Sequence, residues 1–136
     1  MPVPYIHFDT DCREAMTFYQ AVFGGELEIM GYDQMPDAPT EMAQSSNVMH
    51  ATLTTDKGPL FASDAFPGTS NAPQASVSIS WDVADAAEGK ALFEKLMSEG
   101  GEIVMPFEAT FFASGFGMGK DRFGTHWMIM TGAEAE

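Results

Sequence analysis

The chain repeats one order of strand and helix signals, and this internal repeat limits its fold more than any other feature. VPYIHFD and then DCREAMTFYQAVFGG have the patterns of a strand and a helix, and SVSISWD with VADAAEGKALFEKLMSEGG repeats that order. Asp11 with Glu14, and Asp85 with Glu88, have the spacing of a helix capping box. Gly-Gly-Glu follows each predicted helix, and glycine commonly ends a helix in the left-handed conformation. These matches in the same order indicate a duplication.

Each half then ends in two strand-like segments joined by a charged turn. They are NVMHATLTT-DKG-PLFASD in the first half and FFASGFGMGK-DRFG-THWMIM in the second. A glycine at the end of such a turn suits a positive φ. The sequence therefore predicts an α+β fold of two tandem βαβββ modules, with the helices on one side of a mostly antiparallel sheet.

The predicted modules share one domain. Module one covers about residues 3–66, a linker rich in proline, glycine and polar residues covers 67–75, and module two covers 76–131. With 136 residues in all, neither half has enough core to fold alone. Residues 34–46 form a long connection of the kind that sometimes acts as a lid. The tail 132–136 is expected to be disordered.

Composition restricts the partners of the protein. The formal charge of −14 disfavours binding to nucleic acid and favours a neutral or cationic ligand. A single cysteine, Cys12, excludes an intramolecular disulfide and a cysteine-based zinc cluster. Neither a signal peptide nor an apolar run long enough to span a membrane is present, so we expect a cytoplasmic protein without membrane contacts.

Strand alternation predicts which side chains face the helices and which face the opposite, concave side of the sheet. The side chains predicted under the helices are those of Val77, Ile79, Trp81, Trp127, Ile129, Met49, Ala51 and Leu53. The side chains predicted on the concave side are those of Ser76, Ser78, Ser80, His126, Met128, Met130, Val48, His50 and Thr52. His7 matches Trp81 in the repeat, which predicts that it points to the helix layer.

The candidate ligand-contacting residues form the predicted concave wall, in which Phe111 and Phe112 lie at a loop–strand junction. They are His50, His126, Met128, Met30, Ser78, Ser80, Phe111, Phe112 and Phe116. Methionine and phenylalanine make an adaptable apolar wall, and histidine and serine add polar contacts. Core filling or a subunit contact explains the apolar members equally well. No catalytic residue is assigned.

The residues also carry a family resemblance. PYIHFDTDCREAMTFYQAVFGGEL, the strand VMHATL with SD shortly after it, and FGMGKDRFGTHWMI resemble the PhnB-like branch of the glyoxalase/bleomycin-resistance superfamily, also called vicinal oxygen chelate. The resemblance covers about residues 3–131 and implies a curved mixed sheet around a cavity. The branch is often labelled a demethylubiquinone methyltransferase, but no glycine-rich nucleotide loop follows a strand in this sequence.

The resemblance also implies where a metal would be bound in metal-dependent relatives. Those positions fall near Pro4, Ala62, Ser78 and Met128, none of which is a good ligand for the metals that this superfamily uses. A shift of one residue brings in Tyr5, Ser63, Ile79 or Ile129, and none of these restores a site. We therefore expect no bound metal and no other cofactor.

Three functions remain open at this point. The leading one is metal-independent binding of a small neutral or cationic molecule in the concave cavity, by a homodimer. The alternative is an enzyme of this superfamily (a lyase, isomerase or dioxygenase-like protein) that uses a displaced site around His50 and His126. The third is a structural or regulatory protein with a vestigial pocket. The sequence does not decide whether the protein is an enzyme.

Overall fold

The computed structural model describes residues 2–34, 40, 45–66 and 68–131. The chain divides between Pro73 and Gln74, inside the predicted linker, into two compact units, here called module one and module two. Most of the predicted lid, at 35–39 and 41–44, and the tail 132–136 lie outside the described residues. That the two modules form one domain stays a prediction.

Module one has the order strand, helix, strand, strand, strand. The elements are β1 (Tyr5–His7), α1 (Cys12–Phe23), β2 (Glu26–Gly31), β3 (Val48–Thr55) and β4 (Gly58–Ser63), with a short 3-10 turn at Tyr32–Gln34. The four strands form a sheet in the order β1-β4-β3-β2. β1 runs parallel to β4, and the other pairs are antiparallel. α1 packs on β2, β3 and β4, so one face of the sheet lies under the helix. The other is called the open face.

Module two repeats this arrangement. Its elements are β5 (Ile79–Val83), α2 (Ala86–Leu96), β6 (Glu102–Glu108), β7 (Phe116–Lys120) and β8 (His126–Thr131). The sheet order is β5-β8-β7-β6, with β5 parallel to β8. The α+β class and the duplicated βαβββ pattern are confirmed. Within the described ranges, no helix is long and apolar enough to cross a membrane.

The two helices begin differently, although their sequences predict the same cap. The Asp85 carboxylate accepts a hydrogen bond from the Glu88 N–H at 2.8 Å, as the capping box predicts. Asp11 makes no such side-chain bond, so its predicted cap is wrong. The first N–H of α1, that of Cys12, instead donates to the Asp64 carboxylate at 2.8 Å. A residue distant in sequence therefore replaces the local cap of α1.

The predicted glycine positions are confirmed where the backbone requires them. Gly24 and Gly25, which follow α1, have φ of 79° and 103°. Gly58 and Gly124, at the ends of the two charged turns, have φ of 117° and 95°. All four values lie where side chains with a Cβ are strained, so these residues set one helix–strand reversal, between α1 and β2, and the two strand–strand turns.

The prediction for His7 is wrong by one residue. Ile6 is the buried residue of β1, and both of its neighbours, Tyr5 and His7, are exposed on the open face. Ile6 lies opposite Ala62, as Trp81 lies opposite Ile129. Ile6 is therefore the counterpart of Trp81. The number of residues between the first strand and the helix differs between the two halves. An alignment of the halves through their helices therefore placed the first strands one position out of register.

The prediction for the start of β3 is also wrong. Ala51 and Leu53 are buried and His50 and Thr52 lie on the open face, as alternation predicts. Val48, however, is fully buried. Gly31 pairs with Val48 whereas Met30 pairs with His50, so Met49 is an extra residue in a β-bulge. A bulge reverses the alternation beyond it, which turns Val48 toward the core.

The alternation of β8 is confirmed and that of β5 is confirmed in part. Trp127 and Ile129 are buried under α2, and Ile79 and Trp81 lie opposite them on the same face. Val77 is 65% exposed, which contradicts its predicted burial. β5 begins only at Ile79, and Ser76 has a positive φ of 64°. Because the backbone turns before the strand starts, alternation does not extend to Ser76 and Val77.

Candidate functional site

The open face of module one carries a cluster of four rings. The Tyr5 and His7 rings are stacked with centroids 4.8 Å apart. His50 lies 5.6 Å from Tyr5 and 5.2 Å from Phe61, and Phe61 is edge-on to Tyr5 at 6.0 Å. Pairing of β1 with β4 and of β4 with β3 brings the rings together from three strands. This group (Tyr5, His7, His50 and Phe61) is called the ring cluster below.

A chain of hydrogen bonds crosses the ring cluster. His50 Nδ1 lies 3.0 Å from the Tyr5 hydroxyl, and His50 Nε2 lies 3.1 Å from the Thr52 hydroxyl. A neutral imidazole donates from one nitrogen and accepts at the other. In one arrangement Tyr5 donates to His50, which donates to Thr52. In the other, Thr52 donates to His50, which donates to Tyr5 and leaves the phenol proton for a bound molecule.

His7 is held by a second polar contact. Its Nδ1 lies 3.3 Å from the Ser63 hydroxyl, directly across the β1–β4 pair. Tyr5 is 42% exposed, and its hydroxyl contact with His50 lies at the surface, so solvent reaches part of the cluster. Such a surface can stack on a flat molecule and bond to one polar group of it.

Met30 and Glu28 border the ring cluster on β2. Met30 lies opposite His50 and is 49% exposed. Glu28 lies opposite Thr52, on the same face. Together they add a flexible apolar side chain and a carboxylate, which favours a neutral or cationic molecule over an anion.

The remaining predicted contact residues belong to module two. Met128 and the exposed Ser80 lie opposite one another on its open face, and Ser78 precedes β5. His126 is half-buried on β8, on the same face as Met128 and opposite Lys120. A site shared by His50 and His126 would draw on both modules and stays a prediction.

The three predicted phenylalanines form a separate group beside β7. Phe111 is fully exposed and lies edge-on to Phe112 at 5.1 Å. Phe112 in turn lies edge-on to Phe116 at 5.2 Å, and Phe116 is buried. The first two lie in the loop before β7, where Thr110 Oγ1 accepts hydrogen bonds from the N–H groups of Phe112 and Ala113.

The buried acid Asp64 is a structural residue beside the ring cluster. Its two carboxylate oxygens accept from the N–H groups of Cys12 and Val48, each at 2.8 Å. Burial raises the pKa of Asp64, against the opposing effect of these two hydrogen bonds. Burial, reinforced by the negative charge of Asp64, also raises the pKa of Cys12 to about 12. Cys12 is therefore a protonated core thiol and not a nucleophile.

Comparison with known proteins identifies the family. Residues 2–130 match the family model described as 3-demethylubiquinone-9 3-methyltransferase. Protein YjdN of Escherichia coli (strain K12) is 31% identical over 140 aligned positions, which cover 95% of this chain and 94% of YjdN. The crystal structure of PA1353 from Pseudomonas aeruginosa superposes with a TM-score of 0.85 at 38% identity, over 96% of each chain. The chain belongs to the PhnB-like branch of the glyoxalase/bleomycin-resistance superfamily.

Other PhnB-like and superfamily structures share the fold at lower identity. A PhnB protein from Bacillus cereus, titled a putative 3-demethylubiquinone-9 3-methyltransferase, has a TM-score of 0.72 at 23% identity, over 96% of this chain and 98% of its own. A glyoxylase/bleomycin resistance protein/dioxygenase domain from Frankia has a TM-score of 0.66 at 15% identity, over 100% and 93%. These likenesses support the duplicated fold of this PhnB-like protein.

The superfamily's metal positions do not fit a metal in this PhnB-like chain. Ala62 is fully buried and has no donor atom, and Met128 offers only a thioether. In the part of the chain that the structure describes, no three His, Cys, Asp or Glu residues group closely enough to hold an ion. The donor atoms at these positions therefore support no reaction step through a metal.

The candidates predicted from the sequence therefore included His50 of the ring cluster and Met30 at its border. They did not include Tyr5, His7 and Phe61. The missed residues carry a period-two signal in YIH and PLFAS. That signal locates them only when β1 is aligned with β4 through Ile6 and Ala62.

Proposed function

We propose that this PhnB-like protein binds a small neutral or cationic organic molecule on the open face of module one, without a metal. The observation that carries the proposal is the Tyr5–His50–Thr52 hydrogen-bond chain inside a ring cluster that solvent reaches. A ring face and one adjustable hydroxyl are the contacts that orient a flat ligand with a single polar group.

The charges around the ring cluster define the ligand class further. Module one contains two basic side chains, Arg13 on α1 and Lys57 in the β3–β4 turn, and neither belongs to the open face. Glu28 does belong to it. A phosphonate or phosphate normally requires clustered Arg or Lys. Aromatic ring faces instead attract a cation, and this interaction adds about 0.5–1 kcal/mol of binding free energy at an exposed site.

Three matched aromatic probes test the ligand class by calorimetry on the full chain. Benzyltrimethylammonium is the cation, benzyl alcohol the neutral hydrogen-bonding probe, and benzylphosphonate the anion. We expect the first two to bind and the anion to bind at least about tenfold more weakly. Equal or tighter binding of benzylphosphonate would contradict the proposed ligand class, and no binding of any probe would contradict the site.

Variants of the ring cluster separate the contribution of the Tyr5 hydroxyl to ligand binding from that of the aromatic rings. Tyr5→Phe keeps the ring and removes the hydroxyl, so it should weaken benzyl alcohol by about 2- to 10-fold and leave benzyltrimethylammonium unchanged. Phe61→Leu should weaken both probes. Tyr19→Phe is the matched control, because it removes a hydroxyl from the fully buried, helix side of the same module. Equal effects of Tyr5→Phe and Tyr19→Phe would show that the Tyr5 hydroxyl makes no specific contact.

The Tyr5–His50 contact also favours a second candidate, an acid–base enzyme of this superfamily in which His50 moves a proton. A phenol and an imidazole at hydrogen-bond distance can exchange a proton with a bound molecule. Incubation with small hydroxyketones in deuterium oxide tests this, since proton abstraction replaces a C–H signal in the NMR spectrum. Enzyme activity predicts exchange that His50→Gln abolishes. Absence of exchange supports the binding function alone.

A further inference from the structure

Three methionines lie side by side across the open face of module two. Met105 on β6 pairs with Met118 on β7, and Met118 pairs with Met128 on β8. Residues directly opposite in antiparallel strands point to the same face. The three residues, called the methionine row, therefore lie on one face of three adjacent strands, with β6 shifting its register on both sides of Met105.

The pairing places the three thioethers within reach of one another. Opposite side chains on neighbouring strands have Cβ atoms about 4.5–5.5 Å apart. Methionine is unbranched, with three rotatable bonds, so each sulfur can move by several ångströms around its Cβ. Adjacent sulfurs of the methionine row can thus converge on one small ion without movement of the backbone.

The residues beside Met118 explain why it lies on the open face. Gly117 and Gly119 flank it on β7 and face the helix side. A Cβ at Gly119 would lie 2.5 Å from Met97 Sδ, and one at Gly117 would lie 3.2 Å from Phe107 Cβ. Large side chains from the end of α2 and from β6 fill that side, which leaves the open face for the side chain of Met118.

The chemistry of the methionine row differs from that of an apolar wall alone. A thioether is a soft ligand that binds hard divalent cations poorly and selects a soft ion such as Cu(I). Met105 is 42% exposed, and Met118 and Met128 are half-buried, so an ion in solution reaches them. The formal charge of −14 raises the local concentration of cations.

We propose that the methionine row Met105–Met118–Met128 is a binding site for a soft monovalent metal cation, Cu(I) or its close analogue Ag(I). The superfamily's metal positions are a different set, of which the row shares only Met128. The proposal is independent of ligand binding by the ring cluster in module one. Either one can fail without the other.

Titration of the full chain with silver nitrate tests the proposal, because Ag(I) has the same preference for thioethers and does not change oxidation state in air. With ¹³C-methyl-methionine labelling, NMR follows each methionine separately. We expect the Met105, Met118 and Met128 methyl signals to shift together and to saturate at one equivalent. The exposed Met30 should stay unchanged. Shifts spread equally over Met30 and the row, or no shift by several equivalents, would overturn the proposal.

The same spectrum also shows whether silver binds to the Cys12 thiol instead of the methionine row. Cys12 is the sole cysteine and is buried on α1, and Met16 lies one helical turn further along. Silver captured by the Cys12 thiol would therefore shift Met16 first. That result, with the row unshifted, would also contradict the proposal.

Met118→Leu separates the sulfur from its apolar volume. The substitution preserves size closely enough to cost less than about 1.5 kcal/mol of stability. It should weaken silver binding at least tenfold, whereas the control Met30→Leu should leave the affinity unchanged. Unaltered affinity in a folded Met118→Leu variant would mean that the row is only an apolar surface.

Discussion

Asp64 ties together three parts of module one that are distant in sequence. It follows β4 directly, is 3% exposed, and accepts one N–H bond from the start of α1 and one from the start of β3. Cys12 and Val48, which donate these bonds, are both fully buried. Asp64→Ala would leave both N–H groups without a partner where water does not reach them.

The expected loss of stability follows from these two bonds. A hydrogen bond to a charged group contributes about 1.5–3 kcal/mol, so removal of both should lower the free energy of unfolding by about 3–6 kcal/mol. Natural domains are stable by about 5–15 kcal/mol. Asp64→Ala should therefore leave module one close to unfolding, although it changes no apolar contact of the core.

Urea denaturation monitored by circular dichroism measures this loss against two matched aspartates. Asp85→Ala removes one exposed cap bond of α2 and should cost about 0.5–2 kcal/mol. Asp11→Ala removes no cap bond and should stay within about 0.5 kcal/mol. If Asp64→Ala costs no more than Asp85→Ala, the assignment of Asp64 as the tie between α1 and β3 is wrong.

The raised pKa of Asp64 also predicts a pH dependence. Because burial raises its pKa in the folded state, the folded protein holds this proton more tightly than the unfolded chain does. Proton binding by Asp64 therefore adds stability in full below the unfolded pKa of this group, and this addition is lost as pH rises through the folded pKa, although the ionised carboxylate still accepts both N–H bonds. Asp64→Ala should abolish that part of the stability profile, and an identical pH profile in both proteins would contradict the prediction.

Three further predictions concern other parts of the fold. Gly89→Ala would place a Cβ 2.5 Å from Phe107 Cζ, so it should lower the free energy of unfolding by about 1–3 kcal/mol. Phe107→Leu in the same chain should recover part of this loss. If urea denaturation shows that the losses of the two substitutions simply add, this contact is excluded. We expect a homodimer that pairs through the edge strand β6, where Val104 is 60% exposed. Val104→Lys should therefore give monomers in sedimentation. An unchanged dimer would exclude β6 as the dimer interface. Since burial raises the pKa of Cys12 to about 12, iodoacetamide at pH 8 should alkylate the native protein at least about tenfold more slowly than the unfolded chain, and similar rates would contradict its burial.

The order of elements could be predicted from the sequence because each signal is local. Helical periodicity, glycine after each helix and the charged turns act within a few residues. The Asp85 cap, the glycine turns and the burial of Trp127 and Ile129 are confirmed for this reason.

The errors arise where a non-local contact decides the outcome. Asp64 displaced Asp11 as the partner of α1, and a bulge at Met49 turned Val48 inward. The prediction for His7 failed because the two halves were aligned one position out of register, and the pairing of Ile6 with Ala62 gives the correct alignment. The ring cluster was missed because its members come from three strands.

Methyl and aromatic NMR of the full chain, titrated with benzyltrimethylammonium, tests most directly whether the open face of module one is the ligand site. We expect the largest shifts, and the contacts seen between ligand and protein protons, to fall on Tyr5, His7, His50 and Phe61. Contacts confined to residues outside the ring cluster, or no saturable shift in any ring signal, would contradict it.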